Sequence, residues 1–366
     1  MGIASGAGGT PVRFGNSTSL YPSSQSFTFR EVELKGDMMR KFFSQGVLLV
    51  VIAASVVASG CSQYQGLKAK RSYRDANGLY ASSDFKAAAA KYEEVVALPE
   101  GTVAQFKMEP AYFFLANCYD NMYRSVKKGD PTNDAFLTKA VEFYNKGAQL
   151  DPNPEMKKRA LQFLVAIYGP DKLYDPSQQE PLLQKLIEMD PKDPGNYFVL
   201  GGIYEQNGDY EKAEQTFIRA KDALPTDAAV YTTLAAFYDR QGEFDKVIGA
   251  LNERAEKEPN NPEAHHTLAT YYWQEASKNF RLRDADKRKY IETGLQEADK
   301  ALALKADYQD ALTFKNLLLR SLALVETNPA RQQALIKEAD ALKAKAEEMQ
   351  KAKAAAPAPA AAPTKG

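Results

Sequence analysis

The sequence predicts an all-α solenoid built from stacked helical hairpins, and three observations support this prediction. Alanine, leucine, lysine, glutamate and tyrosine dominate the middle of the chain, and this composition favours helices over strands. Aromatic and leucine residues recur there with one constant period. Prolines recur with the same period, where they end one helical unit before the next begins.

The composition also argues against several kinds of function. Lysine and arginine together number 47, as do aspartate and glutamate, so no basic excess favours nucleic acid as a partner. The two cysteines, Cys61 and Cys118, stand in very different sequence contexts. They are too few for a disulfide framework or for a zinc site built on cysteine pairs.

The first patterned segment, Met38 to Cys61, has the three-part layout of a secretory signal peptide. Two basic residues start it, an apolar stretch follows, and small residues precede the cysteine. The apolar stretch runs only from Gly46 to Ala58, whereas a helix needs roughly 20 residues to span a bilayer. A membrane helix that stays attached is the alternative interpretation.

Within this segment, Ala58-Ser59-Gly60-Cys61 resembles the lipobox of bacterial lipoproteins. The resemblance implies diacylglyceryl transfer to the Cys61 sulfur, cleavage before this residue, and acylation of the new amino terminus. Several acyl chains on one residue anchor a protein stably, whereas one chain binds only marginally. By resemblance to enteric lipoproteins, Ser62 in place of aspartate implies the outer membrane. The predicted location is the cell envelope, with the lipid-anchored protein facing the periplasm.

Residues 1–37 precede this signal and are rich in glycine, serine and threonine. We expect translation to start at Met38 or Met39, which would make this stretch a mis-annotated extension. A genuine disordered extension is the alternative, since the stretch has few residues that form a core.

The body of the chain contains columns of related residues that share one spacing, roughly 34 residues. So many columns in one phase indicate a repeat protein. The columns are Tyr197, Tyr231 and His265; Leu200, Leu234 and Leu268; Tyr204, Tyr238 and Tyr272; Gly208 and Gly242; Tyr210 and Phe244; Ala213 and Val247; and Pro191, Pro225 and Pro259.

Each period predicts one helical hairpin. Leu200, Gly201 and Tyr204 fall on one face of a first helix. Residues 207–209 predict a turn, and a matching apolar stripe predicts a second helix. Gly201 and Ala213 are small enough for the two helices to approach closely. Because one hairpin cannot bury its apolar face alone, it requires neighbours.

These units resemble the tetratricopeptide repeat, whose pattern is aromatic, leucine, small and tyrosine in the first helix, then small, aromatic, small and proline. The units from Pro194 and from Ala228 match this pattern best. Two other units are interrupted, by insertions near residues 122–134 and around residues 276–288. The resemblance implies a right-handed superhelical solenoid of about five to six repeats with a C-terminal capping helix.

The chain therefore divides into six predicted segments. They are a disordered or mis-annotated extension (1–37), a lipoprotein signal peptide (38–60), a tether (61–68), the repeat array (69–325), a capping helix (326–352) and a disordered alanine and proline tail (353–366).

No group of residues in the sequence predicts catalysis, a metal site or a cofactor. His265 and His266 are the only histidines, and neighbours on one helix point in different directions. Cys118 precedes Tyr119, a core position of a first helix, and is predicted to be a small buried thiol. We therefore expect no catalytic residue, no metal and no cofactor, in a protein that is not an enzyme.

In the tetratricopeptide family the first helices line a concave groove, and the resemblance implies which residues face it here. A cytoplasmic co-chaperone subfamily clamps a carboxy-terminal peptide with groove lysines and asparagines. Phe198, Thr232 and His266 replace those lysines and only Asn117 matches, so that clamp is not expected. The implied groove residues are Phe113, Asn117, Asp120, Phe198, Glu205, Gln206, Thr232, Asp239, Arg240, His266, Thr270 and Trp273.

Trp273 is the only tryptophan of the chain. Tryptophan is common among the residues that dominate binding energy, which favours a role in the groove. Packing against the insertion that follows it is the alternative.

The leading functional hypothesis is a non-catalytic scaffold for protein–protein interactions, lipid-anchored at the bacterial envelope and organising an envelope assembly. Short repeat lipoproteins of this kind serve outer-membrane barrel assembly and type IV pilus biogenesis, and this chain is similar in architecture but longer. The expected ligand is an extended or helical segment of a larger protein. The expected contacts are protein and, through the anchor, membrane, but not nucleic acid. The alternative is a periplasmic module for a glycan or small ligand, because groove aromatics permit sugar stacking.

Overall fold

The structure, a computed structural model, describes the backbone of residues 63–355 and the side chains of residues 63–351. The chain divides into two compact units, Met1–Ala69 and Lys70–Gly366. Of the first unit only residues 63–69 are described, and they are helical. The predicted extension, signal peptide and lipidation site at Cys61 lie outside the described residues, as do residues 356–366 of the predicted tail. Between residues 63 and 355, none of the helices has the length and hydrophobicity required to cross a membrane.

The second unit consists of helices and turns, and residues 70–355 contain no strand. A single turn of 3₁₀ helix, Ser125–Lys127, lies between α4 and α5. The α-helices are α1 (63–81), α2 (Phe85–Val96), α3 (Glu100–Gln105), α4 (Pro110–Met122), α5 (Pro131–Leu150), α6 (Pro154–Ile167), α7 (Pro176–Met189), α8 (Pro194–Gln206), α9 (Tyr210–Ala223), α10 (Ala228–Gln241), α11 (Phe244–Lys257), α12 (Pro262–Lys278), α13 (Asp284–Leu304), α14 (Gln309–Leu324) and α15 (Pro329–Ala355).

Successive helices pair into hairpins, and each hairpin packs on the next. The pairs are α1 with α2, then α4 with α5, and so on in chain order to α14 with α15. The second helix of each hairpin also packs against the first helix of the following one. The short α3 joins the first pair to the second. This repeated packing confirms the predicted all-α solenoid of helical hairpins.

Most of the hairpins begin with the same local signal, an aspartate or asparagine that caps the first helix. The side chain of Asp193 accepts a hydrogen bond from the backbone N–H of Gly195 at 3.0 Å, and Asp227 accepts one from Ala229 at 2.8 Å. Asn153 and Asn261 cap α6 and α12 in the same way. Proline follows the cap in α6, α8 and α12, where its missing N–H costs no helical hydrogen bond. At these four hairpins the sequence thus specifies the start of the first helix locally.

The predicted columns form the interior of the regular hairpins. Leu200, Leu234 and Leu268 are all buried. Gly201 permits the close approach that the sequence predicted, since a Cβ atom there would lie 2.5 Å from ring atoms of Phe217 on α9. The buried columns of neighbouring hairpins join into one continuous core, which explains the constant phase.

The two predicted insertions lengthen hairpins at the turn and leave the stacking intact. In the regular unit a short turn separates the end of α10 at Gln241 from the start of α11 at Phe244. In the lengthened unit, α12 continues to Lys278 and α13 starts only at Asp284. Beyond the added residues Ile291 is buried like the other core positions.

The C-terminal helices α14 and α15 form a further hairpin. The side chain of Asn316 on α14 is buried and donates a hydrogen bond to the backbone oxygen of Ala339 on α15. Arg320 donates to Asn316 Oδ1 at 3.1 Å and also pairs with Asp340. The helix predicted as a cap is therefore held on α14 by polar contacts as well as by the buried Ala339 and Ala346.

Candidate functional site

The positions implied to face the groove lie on α4, α8, α10 and α12, all of them first helices of hairpins. We call the set on α8, α10 and α12 the first-helix face. The neighbouring first helices α8 and α10 contact each other directly, as do α12 and α14. The first-helix face consists of Phe198, Glu205, Gln206, Thr232, Asp239, Arg240, His266, Thr270 and Trp273.

On α4, the structure corrects two of the predicted groove residues. Phe113 is buried, and its ring lies 5.5 Å from the rings of both Tyr144 on α5 and Phe163 on α6. Asn117 is also buried, where it accepts a hydrogen bond from Tyr80 at 2.7 Å and donates one to Tyr144 at 3.0 Å. Both side chains are occupied by the interior of the protein and are not available to a ligand.

Two carboxylates at equivalent positions are paired with cations from the following repeat. Asp120 on α4 pairs with Lys172, which lies in the turn after α6. Glu205 on α8 accepts two hydrogen bonds from Arg240 on α10, at 2.7 and 2.8 Å. This paired geometry raises the pKa of the Arg240 guanidinium, through the hydrogen bond to Glu205 above all. The pairing neutralises acidic positions that would otherwise repel an acidic ligand.

The remaining residues of the central part of the face differ in exposure. Gln206 and Asp239 are exposed, and Phe198 is half-buried against the core. Thr232 is half-buried, and its hydroxyl donates to backbone oxygens of α10. Polar groups that reach solvent on a rigid helix suit a binding surface, although none of them forms a chemically reactive group.

At the C-terminal end of the first-helix face, His266 and Trp273 on α12 contact two further rings, Tyr308 at the start of α14 and Phe314 on α14. We call these residues the aromatic cluster. The His266 ring lies 5.2 Å from each of the Tyr308 and Phe314 rings, and Trp273 lies 5.6 Å from Phe314. All four are half-buried, so each keeps part of its ring in solvent. Aromatic rings held rigidly by one another offer a large apolar surface at little cost in entropy.

The environment of His266 favours its neutral form. Burial among these rings lowers the pKa of the imidazole, while Asp310 and Glu263 oppose the shift. Thr270 donates to the backbone oxygen of His266 at 3.0 Å, one helical turn away. At neutral pH the aromatic cluster is therefore uncharged, with Lys305 at its edge, 5.5 Å from the centre of the Tyr308 ring.

The Trp273 ring makes two packing contacts. It packs against the core that includes Ala276, in the extended part of α12, and it also meets Phe314 on the next first helix. The remaining ring surface is open. The Trp273 ring is thus held in place by packing while part of its surface remains exposed to solvent.

The other candidate reactive groups are held in structural contacts. His265 Nδ1 lies 2.7 Å from Glu297, which also pairs with Lys300. Cys118 is fully buried, and burial raises the pKa of its thiol to about 12. Among the described residues, no three histidine, cysteine, aspartate or glutamate side chains converge as a metal site would require.

Sequence reasoning missed Tyr308 and Phe314, which complete the aromatic cluster. The insertion lengthens the interval between α12 and α14, so the residues of α14 fall outside the repeat columns. At the longer interval His265 is followed by Leu312 and Ala269 by Asn316, and because these residue types differ, no repeat column identified α14 as a first helix. Lys172 was missed because it lies in the turn between α6 and α7, outside the repeat columns.

One protein-family model matches part of the chain. The tetratricopeptide repeat family matches residues 175–237, which include α7, α8 and α9 and most of α10. Over these residues the chain is similar to tetratricopeptide repeats. No curated protein matches the chain.

Several solved structures are similar to the chain. The C-terminal part of a tetratricopeptide repeat-containing protein from Cytophaga hutchinsonii is 16% identical over 76% of this chain and 98% of that one, with a TM-score of 0.47. MamA from Desulfovibrio magneticus is 15% identical over 54% and 97%, with a TM-score of 0.34. YrrB, described as a tetratricopeptide-repeat protein with an unusual peptide-binding site, is 18% identical over 54% and 89%, with a TM-score of 0.33.

Proposed function

We propose that this tetratricopeptide-repeat protein is a non-catalytic scaffold for protein–protein interactions, anchored by lipid to the bacterial envelope, where it organises an assembly. The observation that most supports the binding role is the aromatic cluster. It places four half-buried rings on adjacent first helices and at the start of one of them, and Trp273 packs on the buried core beneath. Such clusters of tryptophan, tyrosine and phenylalanine are typical of surfaces that dominate binding energy.

The chemistry of the face favours a particular kind of ligand. The aromatic cluster suits an apolar or aromatic side chain, and Lys305 at its edge suits a nearby carboxylate. Toward the N-terminal side, the pairing of Glu205 with Arg240 removes one barrier to acidic residues. A helical or extended protein segment with an apolar anchor and an acidic flank fits these properties.

The anchoring part of the proposal depends on the sequence around Cys61. A cleavable apolar stretch with small residues before a cysteine is the pattern that precedes lipid attachment, and several acyl chains on one residue bind membranes stably. We propose the outer membrane, with the array in the periplasm. Metabolic labelling with palmitate tests this directly: the wild type is expected to incorporate label and Cys61→Ala to incorporate none. Equal labelling of the two proteins would contradict lipidation at Cys61.

The binding role is tested by affinity capture from detergent-solubilised envelopes. We expect the wild-type protein to retain an envelope protein, and Trp273→Ala to lose it by about tenfold or more, as for a central aromatic contact. Tyr210→Ala is the matched control, since Tyr210 is a half-exposed aromatic residue outside the first-helix face. Circular dichroism confirms that both variants remain folded.

Two results would contradict the binding proposal. One is equal capture by the Trp273 and Tyr210 variants, which would place the interface elsewhere. The other is a rise in melting temperature with envelope glycans that depends on Trp273 while no protein is captured, which would favour the glycan-binding alternative.

A further inference from the structure

The turn between α12 and α13 exposes an aromatic side chain within a strongly basic segment. The Phe280 side chain is 86% exposed at the tip of this turn. Residues 278–289 contain six lysines and arginines but two aspartates, a net charge of +4 in a chain whose formal net charge is zero. The Phe280 ring contributes little to the packing of the core, so an aromatic side chain and several cations are presented to solvent together at this turn.

Three of these six cations are exposed and free to interact with an external partner. Lys278, Arg281 and Lys289 are exposed, and no carboxylate of the described residues lies within ion-pair distance of them. Arg283 pairs with Asp286 at 2.7 Å, and Arg288 pairs with Glu326 at 3.4 Å. The uncompensated charge therefore lies on both sides of Phe280.

The neighbouring turn, between α14 and α15, adds a second exposed apolar residue. Leu324 ends α14 and is 84% exposed. Arg288 on α13 donates a hydrogen bond to the backbone oxygen of Val325 at 2.6 Å, which ties this turn to the beginning of α13. Both turns thus belong to the same edge of two adjacent hairpins. We call Lys278, Phe280, Arg281, Lys289 and Leu324 the turn surface.

We infer that the turn surface docks on an anionic phospholipid bilayer. Basic side chains near a negatively charged membrane are attracted to it, and exposed aromatic and leucine side chains enter the interfacial region. The turn surface combines these two features, which a folded interior does not require. This inference rests on the proposed envelope anchor only in that the anchor brings the array to a membrane; the contact itself requires no acyl chain.

Vesicle sedimentation tests the inference with the chain from residue 61 onward, which includes every described helix. Cys61→Ser in all samples removes the acylation site, so failure of the lipid anchor cannot affect this assay. We expect binding to vesicles of phosphatidylglycerol and phosphatidylcholine, weak binding to phosphatidylcholine alone, and weakening as salt rises. Arg281→Glu with Lys289→Glu is expected to reduce partitioning by about 30-fold or more, and Phe280→Ala by roughly tenfold.

A matched control separates a specific contact from general charge. Lys192→Glu with Lys257→Glu changes the net charge equally, at exposed lysines at the opposite ends of the hairpins. This control is expected to retain most of the binding. Equal loss in both double variants would overturn the inference, as would equal binding to the two kinds of vesicle. The absence of binding to either kind of vesicle would also overturn it. If the protein bound no vesicles but captured an acidic protein in a way that depended on Phe280, the turn surface would be assigned to a protein partner.

Insertion of the turn is measured independently with a single label. Phe280→Cys, carrying an environment-sensitive fluorophore, is expected to shift its emission to the blue with anionic vesicles. Cys118 does not react, because it is fully buried and burial raises the pKa of its thiol to about 12. An unchanged spectrum when the protein is vesicle-bound would show that the turn does not enter the interface, which contradicts the inference.

Discussion

The central hairpins, from α8 to α11, and the lengthened hairpin of α12 and α13 have the same interior but different surfaces. In both regions a leucine of the first helix is buried at the same position, as Leu234 and Leu268 show. The central helices are 13 or 14 residues long, whereas α12 and α13 have 17 and 21. The added residues lie around the turn, so the stacking of the hairpins does not change.

The difference lies in what the added length presents to solvent. On the central hairpins the face is polar, with the Glu205–Arg240 pair across two repeats. The lengthened hairpin brings Trp273 against Phe314 and holds Phe280 away from the body of the protein. Repeat phase therefore determines the core, and the departures from the phase determine most of the distinctive surface.

The largest change in the free energy of unfolding is expected for a substitution in one of the buried core columns. Leu234→Ala should reduce the free energy of unfolding by about 2–5 kcal/mol, because the cavity lies between two hairpins. Phe280→Ala, which removes more side chain at an exposed position, should change it by less than about 0.5 kcal/mol. Thermal and urea unfolding followed by circular dichroism measures both. A comparable loss at Phe280 would mean that the turn contributes to the core.

Two adjacent glycines on α8, Gly201 and Gly202, differ in how much space a side chain would have. Gly201→Ala should destabilise the protein by about 1–3 kcal/mol, because the new methyl group overlaps the ring of buried Phe217. At Gly202, a Cβ atom would meet nothing within 4 Å. Gly202→Ala should therefore stabilise the helix by about 0.5–1 kcal/mol. Urea unfolding of both variants is the measurement, and stabilisation by Gly201→Ala would show that α8 and α9 are not in close contact.

A smaller effect is expected from the charge pair on the central face. Arg240 is about half exposed, so the pair with Glu205 should contribute at most about 1 kcal/mol. A double-mutant cycle with Glu205→Gln and Arg240→Gln measures this coupling, which should decrease in high salt. A coupling that is large and insensitive to salt would indicate a pair much better shielded than the structure shows.

The smallest effect is a pH dependence at the aromatic cluster. Burial lowers the pKa of His266, so the folded state binds fewer protons at this site than the unfolded state. The stability from this group is fully present above the unfolded pKa, about 6.5, and is lost as pH falls through the folded pKa. His266→Phe keeps a ring between Tyr308 and Phe314, and unfolding between pH 4 and 8 should show a flatter acid side. An unchanged profile would assign the acid sensitivity to other groups.

The sequence predicted the fold well because the columns record contacts that every repeat makes. Gly201 illustrates this, since the close approach of two helices that its small size predicted is observed against Phe217. The candidate site was less predictable because it depends on what covers each position. Phe113 and Asn117 occupy groove positions, yet Phe163 and two tyrosines enclose them. Arg254 stands one repeat period after Ala220 and is nonetheless buried, which residue type alone would not indicate.

The confinement of the extra residues to the turn of one hairpin has a consequence for how such a chain diversifies. Segments can be gained, lost or exchanged between Lys278 and Asp284 while the buried residues on either side, Ala276 and Ile291, keep their neighbours. New side chains can thus be added to the surface while the packing of the core stays the same. For protein engineering, this turn is a natural position at which to graft a foreign recognition loop onto the array.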